Sequence, residues 1–443
     1  MPIEETDRPV WRSAITLFVL YLLAAYGSAL LGKAQSQSAP VWLGAAVLFI
    51  YFMRPQAGTA HGGAALFVTG WLASTVWGMA AHDLTPINSI VFGLIETGCA
   101  WLGAKVLGYR LTSEPLSFPT TLRLLAGAVL TAALGAALAA QFWTSVNPGG
   151  TRWLVEWRTW AFSTLLGILL LVPVALAYQG FRPRRSGGMT RQQFLAGLVA
   201  FVIFMVLALS VFSPNVQRFG TTATTLAYLP MPFLLAASML WGARGGSIAM
   251  LIGGLLIASR SLSGAGPFAV QEGFAGEAVI EAQAFVTIWA VLLLFGRALE
   301  DERRRALATA KDWQLRFART LAATRVLSAQ FDPFTGRATW NPGAEQIVGA
   351  HLDNLQTMKD WLSHVDTASH PMAHAAWERA KSGQSVQADH YEVLLGGVSY
   401  WVEASLAPVF GADGAVEEVA AVVRVMPSAP TASSASPAGA ARG

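Results

Sequence analysis

Few side chains in this sequence combine reactive chemistry with a setting that could use it. Glu96 lies at the middle of an apolar run, 89–107, within VFGLIETGCAWLG. An ionised carboxylate at that depth is costly unless it is paired or faces water. Two readings stay open: a functional group at an intramembrane cavity, or a structural hydrogen-bonding centre. His370 and His374 are spaced i, i+4 and could grip zinc, but no third ligand accompanies them, and with His351 and His364 they read more simply as solvated imidazoles. Gly264, Gly266 and Pro267, followed by Phe268, predict an irregular turn that is either a plain connection or a gate or ligand lip.

These residues sit in a chain that is 54% hydrophobic and only 13% charged, against roughly 25% charge in soluble proteins. That makes it a polytopic membrane protein. Apolar segments occupy 13–31, 40–53, 62–81, 89–107, 122–142, 160–178, 193–212, 225–241, 245–259 and 282–297. Spanning takes about 20 residues, so 40–53 and 245–259 are expected to be re-entrant, broken or tilted segments enclosed by the others, giving eight to ten passes. The first segment reads as a retained span, since no small-residue cleavage site follows it. Lys and Arg concentrate at 105–123, 182–191 and Arg303–Arg305, while 82–88 has none. Alternate passes then place all three basic stretches, and both termini, in the cytoplasm, and the expected location is the inner membrane.

Singly placed basic residues of this kind set orientation and leave no nucleic-acid footprint. Glu156, Arg158 and Arg244, near segment ends, suit snorkelling. Cys99 is the only cysteine, so there is no disulfide framework. The small residues of LAGAVLTAALGAALAA suit close helix packing.

Residues 297–324 contain no Gly or Pro and are rich in charge, which predicts a helix leaving the membrane. Arg303–Arg305 suit lipid headgroups. Beyond them Ala306, Ala310, Trp313, Phe317 and Leu321 recur every three or four residues, a stripe that can pair with its copy in a homodimer.

From about Leu327 the pattern becomes soluble and acidic, with 12 acidic and 5 basic residues over 331–426. Two strands around a DPFTG turn precede a helix entered near Asn341. An amphipathic helix follows, expected to bury Met372, Ala375, Ala376 and Ala380. Three strands then turn at 396–397 and at 412–414. The sequence contains no phosphate-binding loop, nucleophile elbow or zincin motif, and no kinase phosphoacceptor box, cyclase signature or phosphodiesterase core. The tail, 427–443, is Ala/Ser/Pro-rich and expected to be disordered, leaving no room for an output enzyme. No enzymatic activity is expected.

Two ordered sets of motifs carry resemblances. Residues 13–297 resemble the MASE1 family, multi-pass bacterial sensory domains, through APVWLGAAVLF, NSIVFGLIETGCAWLGAKVL with Glu96, Trp157 and Trp160 ahead of GILLLVP, YLPMPFLLAASMLWGARGG and SGAGPF. The resemblance implies that Glu96, Asn88, Trp157, Trp160, Gly264, Gly266, Pro267 and Phe268 serve ligand sensing. One departure is Thr164, where family members often carry an acid, which puts the family ligand in doubt. Residues 326–426 resemble a PAS domain through TGRATWNPGAEQIVG, the His364–Asp366 stretch and HYEVLLGGVSYWVEASLAPVFGADGAV. This implies a five-stranded antiparallel sheet whose pocket involves Trp340, Asn341, His364, Tyr391 and Trp401. No resident cofactor is expected; haem through His370 or His374, or another small ligand, is the exception kept open.

The expected architecture is therefore an all-α membrane bundle, a signalling helix at 298–325 and an α+β PAS domain. The expected function is a membrane sensor that takes an unidentified small-molecule cue and passes it to a separate cytoplasmic partner. A transporter or transport-accessory protein, and a scaffold docking partners through the PAS domain, are the competing readings.

Overall fold

A computed structural model describes residues 10–32, 39–82, 84–108, 117–146, 152–179, 189–269, 277–341, 344–395 and 397–426. The expected disordered tail, the loop residues 182–188, Glu272 and position 396 lie outside them. The chain divides into two compact units, Met1–Arg304 and Arg305–Gly443.

The first unit is all helical. Its helices are α1 (Val10–Gly32), α2 (Leu43–Phe52), α3 (Ala60–His82), α4 (Pro86–Leu107), α5 (Phe118–Val146), α6 (Trp153–Tyr178), α7 (Arg191–Val211), α8 (Ala223–Leu226), α9 (Met231–Leu262) and α10 (Glu277–Ala323), the last running on into the second unit. Among the described residues eight helices are long and apolar enough to cross a membrane. Three of the ten apolar segments, in two helices, are built differently from a simple span.

The first is α2, which has only ten residues, about 15 Å or half a hydrocarbon core. Gly44–Phe52 are buried throughout, so the segment is enclosed as expected. It begins at Trp42, whose indole meets Glu96, and ends near Tyr51, whose hydroxyl donates to Thr16 at 2.9 Å. Thus α2 runs from the midpoint of α1 and α4 to the start of α1.

The second is α9, which reverses at Gly242 (φ +64°, ψ −157°), a conformation only glycine adopts freely. A Cβ on Gly246 would press on Ser238, and one on Gly253 would touch Leu234, so the two arms lie antiparallel. The reversal lies at the Arg191 end of α7, because the Trp241 indole donates to the Phe194 carbonyl at 3.1 Å. At the far end Gly266 N–H donates to the Ser213 carbonyl at 3.3 Å. The segments 225–241 and 245–259 are therefore the two antiparallel arms of one reversed helix.

Small residues close the remaining contacts. Gly103 on α4 faces Gly127 on α5, while the Thr131 hydroxyl donates to the Cys99 carbonyl at 3.2 Å, placing Cys99 in the core.

In the second unit β1 (Val326–Phe331), β2 (Ala338–Trp340), β3 (Val386–Leu395), β4 (Val398–Phe410) and β5 (Val416–Met426) form one antiparallel sheet, ordered β2-β1-β5-β4-β3. Helices α11 (Ala344–Val348), α12 (Met358–Ser363) and α13 (His370–Lys381) accompany it. Its core joins Phe331, Trp361, Trp377, Val393, Val402 and Val423. The DPFTG turn closes as expected, with Gly336 N–H donating to the Asp332 carbonyl at 2.8 Å. Helix α13 is rotated from expectation: it buries Ala373, Ala376, Trp377 and Ala380, while Met372 and Ala375 face solvent. The large Trp377 ring sets that face, and the alanines follow it.

Gly167 on α6 gives a test of the broken segment's packing, because a Cβ there would overlap the Trp42 carbonyl, whereas one on Gly98 meets nothing within 4 Å. Gly167→Ala should lower thermal stability in nanodiscs by about 1–3 kcal/mol. Gly98→Ala should melt with the wild type. Equal melting of the two variants would refute this packing.

Candidate functional site

The stretch Ala39–Trp42 is non-helical and precedes α2 in the middle of the bundle. A backbone segment without its own ladder must find partners there, since unsatisfied groups cost several kcal/mol in lipid. Three helices supply them. Ser163 on α6 donates its hydroxyl to the Ala39 carbonyl at 2.6 Å and accepts Trp42 N–H on its own carbonyl at 3.0 Å. Gln283 on α10 donates Nε2 to the Pro40 carbonyl at 2.7 Å. Ser28 on α1 accepts Leu43 N–H at 2.9 Å.

Glu96 on α4 completes the arrangement. Its carboxylate accepts the Trp42 indole N–H at 2.5 Å, the Tyr21 hydroxyl at 2.6 Å and the Ser74 hydroxyl at 2.5 Å. These donors come from the α2 N-terminus, α1 and α3. Helix α4 is cut cleanly to hold this register: Thr85 caps its start, accepting Asn88 N–H at 3.4 Å, and Gly108 ends it in the left-handed region. The arrangement can exchange protons or rearrange hydroxyls, and it couples four helices through one side chain. Of the residues here only Glu96 was singled out from sequence. Tyr21, Ser28, Trp42, Ser74, Ser163 and Gln283 were missed, although the polar ones stand out as isolated polar positions inside apolar segments.

The other residues expected to sense ligand do not join this site. Asn88 lies in the first turn of α4, eight residues before Glu96. The Trp157 indole donates to the Ala133 carbonyl at 3.1 Å and stacks on Trp153, while Trp160 packs on Phe92, 5.5 Å between centroids. Gly264 and Gly266 adopt positive φ, and Pro267 is buried. Phe268 packs 6.1 Å from Phe212 and 5.4 Å from Phe285. This turn caps the end of α7 and α9, away from Glu96.

In the sheet domain a small cavity of about 20 Å³, the scale of one or two waters, is lined by Trp340 and Tyr391 together with Phe331, Met358, Trp361 and Asp389. The Trp361 indole donates to the Tyr391 hydroxyl at 3.1 Å. Burial, opposed by that bond and reinforced by the charge of Asp389, pushes Tyr391 up to about 12.

Three expected pocket residues fall elsewhere. Trp401 alternates with the inward Val402 and Ala404 and so occupies the outer face of the sheet. Asn341 ties strand β1 instead, its Oδ1 accepting Ser328 N–H at 2.9 Å. His364 binds the Asp360 carbonyl through Nδ1 at 2.8 Å, at the end of α12. His370 and His374 are exposed on α13, and neither lines the cavity. Among the described residues no cluster of His, Cys, Asp or Glu could hold a metal ion.

On α10, Trp313 is 69% and Phe317 61% exposed, and Leu321 is partly buried. Nearby ion pairs, Glu300 with Arg303 and Arg304, and Asp312 with Arg316, stay local to the helix.

Removing the central acceptor has a definite consequence. Glu96→Ala strands three donors in the bundle, and should cost about 3 kcal/mol or more of thermal stability in nanodiscs. Glu96→Gln, which keeps one acceptor, should cost less. A melt in which Glu96→Ala matches wild type would show that the three bonds do not hold the broken segment.

The PAS fold profile matches residues 337–427. A crystal structure of a domain assigned to a light and redox sensing histidine kinase from Haloarcula marismortui aligns with 20% identity and a TM-score of 0.21, covering 25% of this chain and 98% of that one. No curated protein matches the chain. The MASE1 profile covers residues 12–304, including every helix that meets at Ala39–Trp42 and Glu96, and the chain, a multi-pass membrane sensory protein with a PAS domain, belongs to the MASE1 family.

Proposed function

We propose that the membrane unit detects a small-molecule cue at or near the broken segment, that α10 carries the change, and that the PAS domain presents it to a separate cytoplasmic output protein. The observation that carries this is Gln283. It binds the Pro40 carbonyl inside the bundle, and it belongs to the same uninterrupted helix, Glu277–Ala323, that leads into β1. A rearrangement at Ala39–Trp42 therefore acts directly on the first turns of α10.

Counting α2 and the two arms of α9 as separate crossings gives ten, an even number that keeps the start of α1 and the emerging part of α10 on one side. The Arg and Lys distribution makes that side cytoplasmic, in an inner membrane. Arg303–Arg305 then lie where anionic headgroups contribute about 1 kcal/mol each. The exposed Trp313 and Phe317, with Leu321, suit pairing with a second copy along the helix. The small aromatic cavity of the PAS domain supports a module without resident haem or flavin. Docking of a partner by the PAS domain, the scaffold reading, becomes part of the output step.

One observation favours a transporter as the second reading: a discontinuous crossing at mid-depth is how many transporters build substrate sites. There, unwound carbonyls coordinate the ion. Here the Ala39 and Pro40 carbonyls already accept Ser163 and Gln283.

Hydrogen exchange on the full chain in nanodiscs tests the relay without knowledge of the cue. Glu96→Gln should alter amide exchange across 305–331 as well as in α2. Unchanged exchange at 305–331 refutes the relay, and altered solute flux in vesicles would favour transport. Cysteines at 313 or 317 should crosslink between copies in membranes; failure of both refutes the dimer.

A further inference from the structure

The sheet domain holds a carboxylate in a place that its own folding does not require. Strand β3 pairs regularly with β4 from Asp389 to Leu395, but the register shifts between Val386 and Asp389. Without that bulge the inward position of Val386 would continue to 388 and 390. With it, Asp389 shares the inner face with Tyr391, Val393 and Leu395. Bulges re-aim side chains next to functional sites.

Asp389 lines the cavity, and its Oδ2 is fully buried without a hydrogen-bond partner. The nearest cation is the guanidinium of Arg379 on α13, 3.8 Å away, beyond hydrogen-bond distance and with half its side chain in solvent. A buried anionic oxygen left this way costs free energy that a bound donor would recover.

The rest of the cavity indicates what kind of donor. Phe331, Trp340, Trp361 and Tyr391 form much of its wall, with Trp340 5.7 Å from Trp361 and 6.0 Å from Phe331 between ring centroids. Aromatic rings attract cations within about 6 Å of their centroids, most strongly where water is excluded. Both indole N–H groups are already used, Trp340 on the Leu355 carbonyl at 2.6 Å and Trp361 on Tyr391, so the rings offer π surface and few donors for an anion. Directly across the ladder from Asp389 stands Ala404, whose small side chain keeps space open beside the carboxylate.

We propose that this cavity binds a small organic ammonium ion, with Asp389 as its counter-ion and Phe331, Trp340, Trp361 and Tyr391 as its aromatic walls. The volume of about 20 Å³ sets the scale at a methylammonium-sized head rather than a large cofactor. Arg379 competes for the same carboxylate. The site lies wholly within the PAS domain and does not depend on what the membrane unit senses.

The test is calorimetric titration of the full chain in nanodiscs with methylammonium chloride, against sodium chloride and sodium acetate at equal ionic strength. Saturable binding should appear with methylammonium alone. Asp389→Asn should weaken it about tenfold, the discount from a fully buried pair reflecting partial exposure. Arg379→Gln should tighten it by freeing the carboxylate, and Ala404→Leu should abolish it by filling the space. If Asp389→Asn fails to fold, the other two variants still decide. No saturable methylammonium heat, equal binding of acetate, or affinity indifferent to Asp389 and Arg379 would overturn the proposal.

Discussion

The membrane unit depends on satisfying a short piece of unwound backbone in a place where water is absent. Ala39–Trp42 exposes carbonyls and N–H groups that a helix would have paired internally, and α2 starts with a bare N-terminus at mid-depth. Every partner comes from a different helix: Ser28, Ser163 and Gln283 for the backbone, and Glu96 for the Trp42 indole. The carboxylate in turn holds Tyr21 and Ser74. Because a buried acceptor with three donors is costly to dismantle one bond at a time, the six helices involved have one common reason to keep their relative positions. Gly167 shows the same constraint sterically, since only hydrogen fits against the Trp42 carbonyl.

Much of this layout is legible in the sequence, and the reason is length. Segment 40–53 is too short to span, and Pro40 ahead of it disfavours helix for the residue before, so a break was readable without any structure. The Gly242–Gly246 interruption likewise separated 225–241 from 245–259, and the structure turns that gap into a reversal. What could not be read was who pairs with Glu96. Ser74 is 22 residues away, Trp42 54 and Tyr21 75. Periodicity fixes which face a residue occupies on its own helix, while partners across helices follow from packing that no local pattern encodes.

The sheet domain separates the same two kinds of information. The succession of strands and turns along the chain followed from alternation and from Gly397 and Gly414, both at positive φ. Pocket membership did not. The PAS resemblance assigned Trp401 to the pocket, yet strict alternation along β4 puts Val402, Ala404 and Leu406 inside and sends Trp401 out. Asp389 was not among the expected pocket residues: alternation counted from Val386 places it outside, and only a register shift brings it in. A single extra residue in one strand reverses the facing of everything before it.

Helix α10 is where the two halves of the sequence meet in one element. Inside the bundle its Gln283 is fully buried and anchored to Pro40, with Thr287 one turn further along the same face. Beyond Arg305 the same helix presents Trp313 and Phe317 to solvent. A helix without Gly or Pro over 297–324 does not absorb a displacement at a kink, because sharp bends need a proline, a bulge or an inserted side chain. Under the proposed relay, motion imposed at Gln283 passes Gly296 and then enters a stretch that can move only as a unit. Past Gly296 the charged stretch contains no glycine, which suits the transmission role proposed for it better than that of a flexible tether.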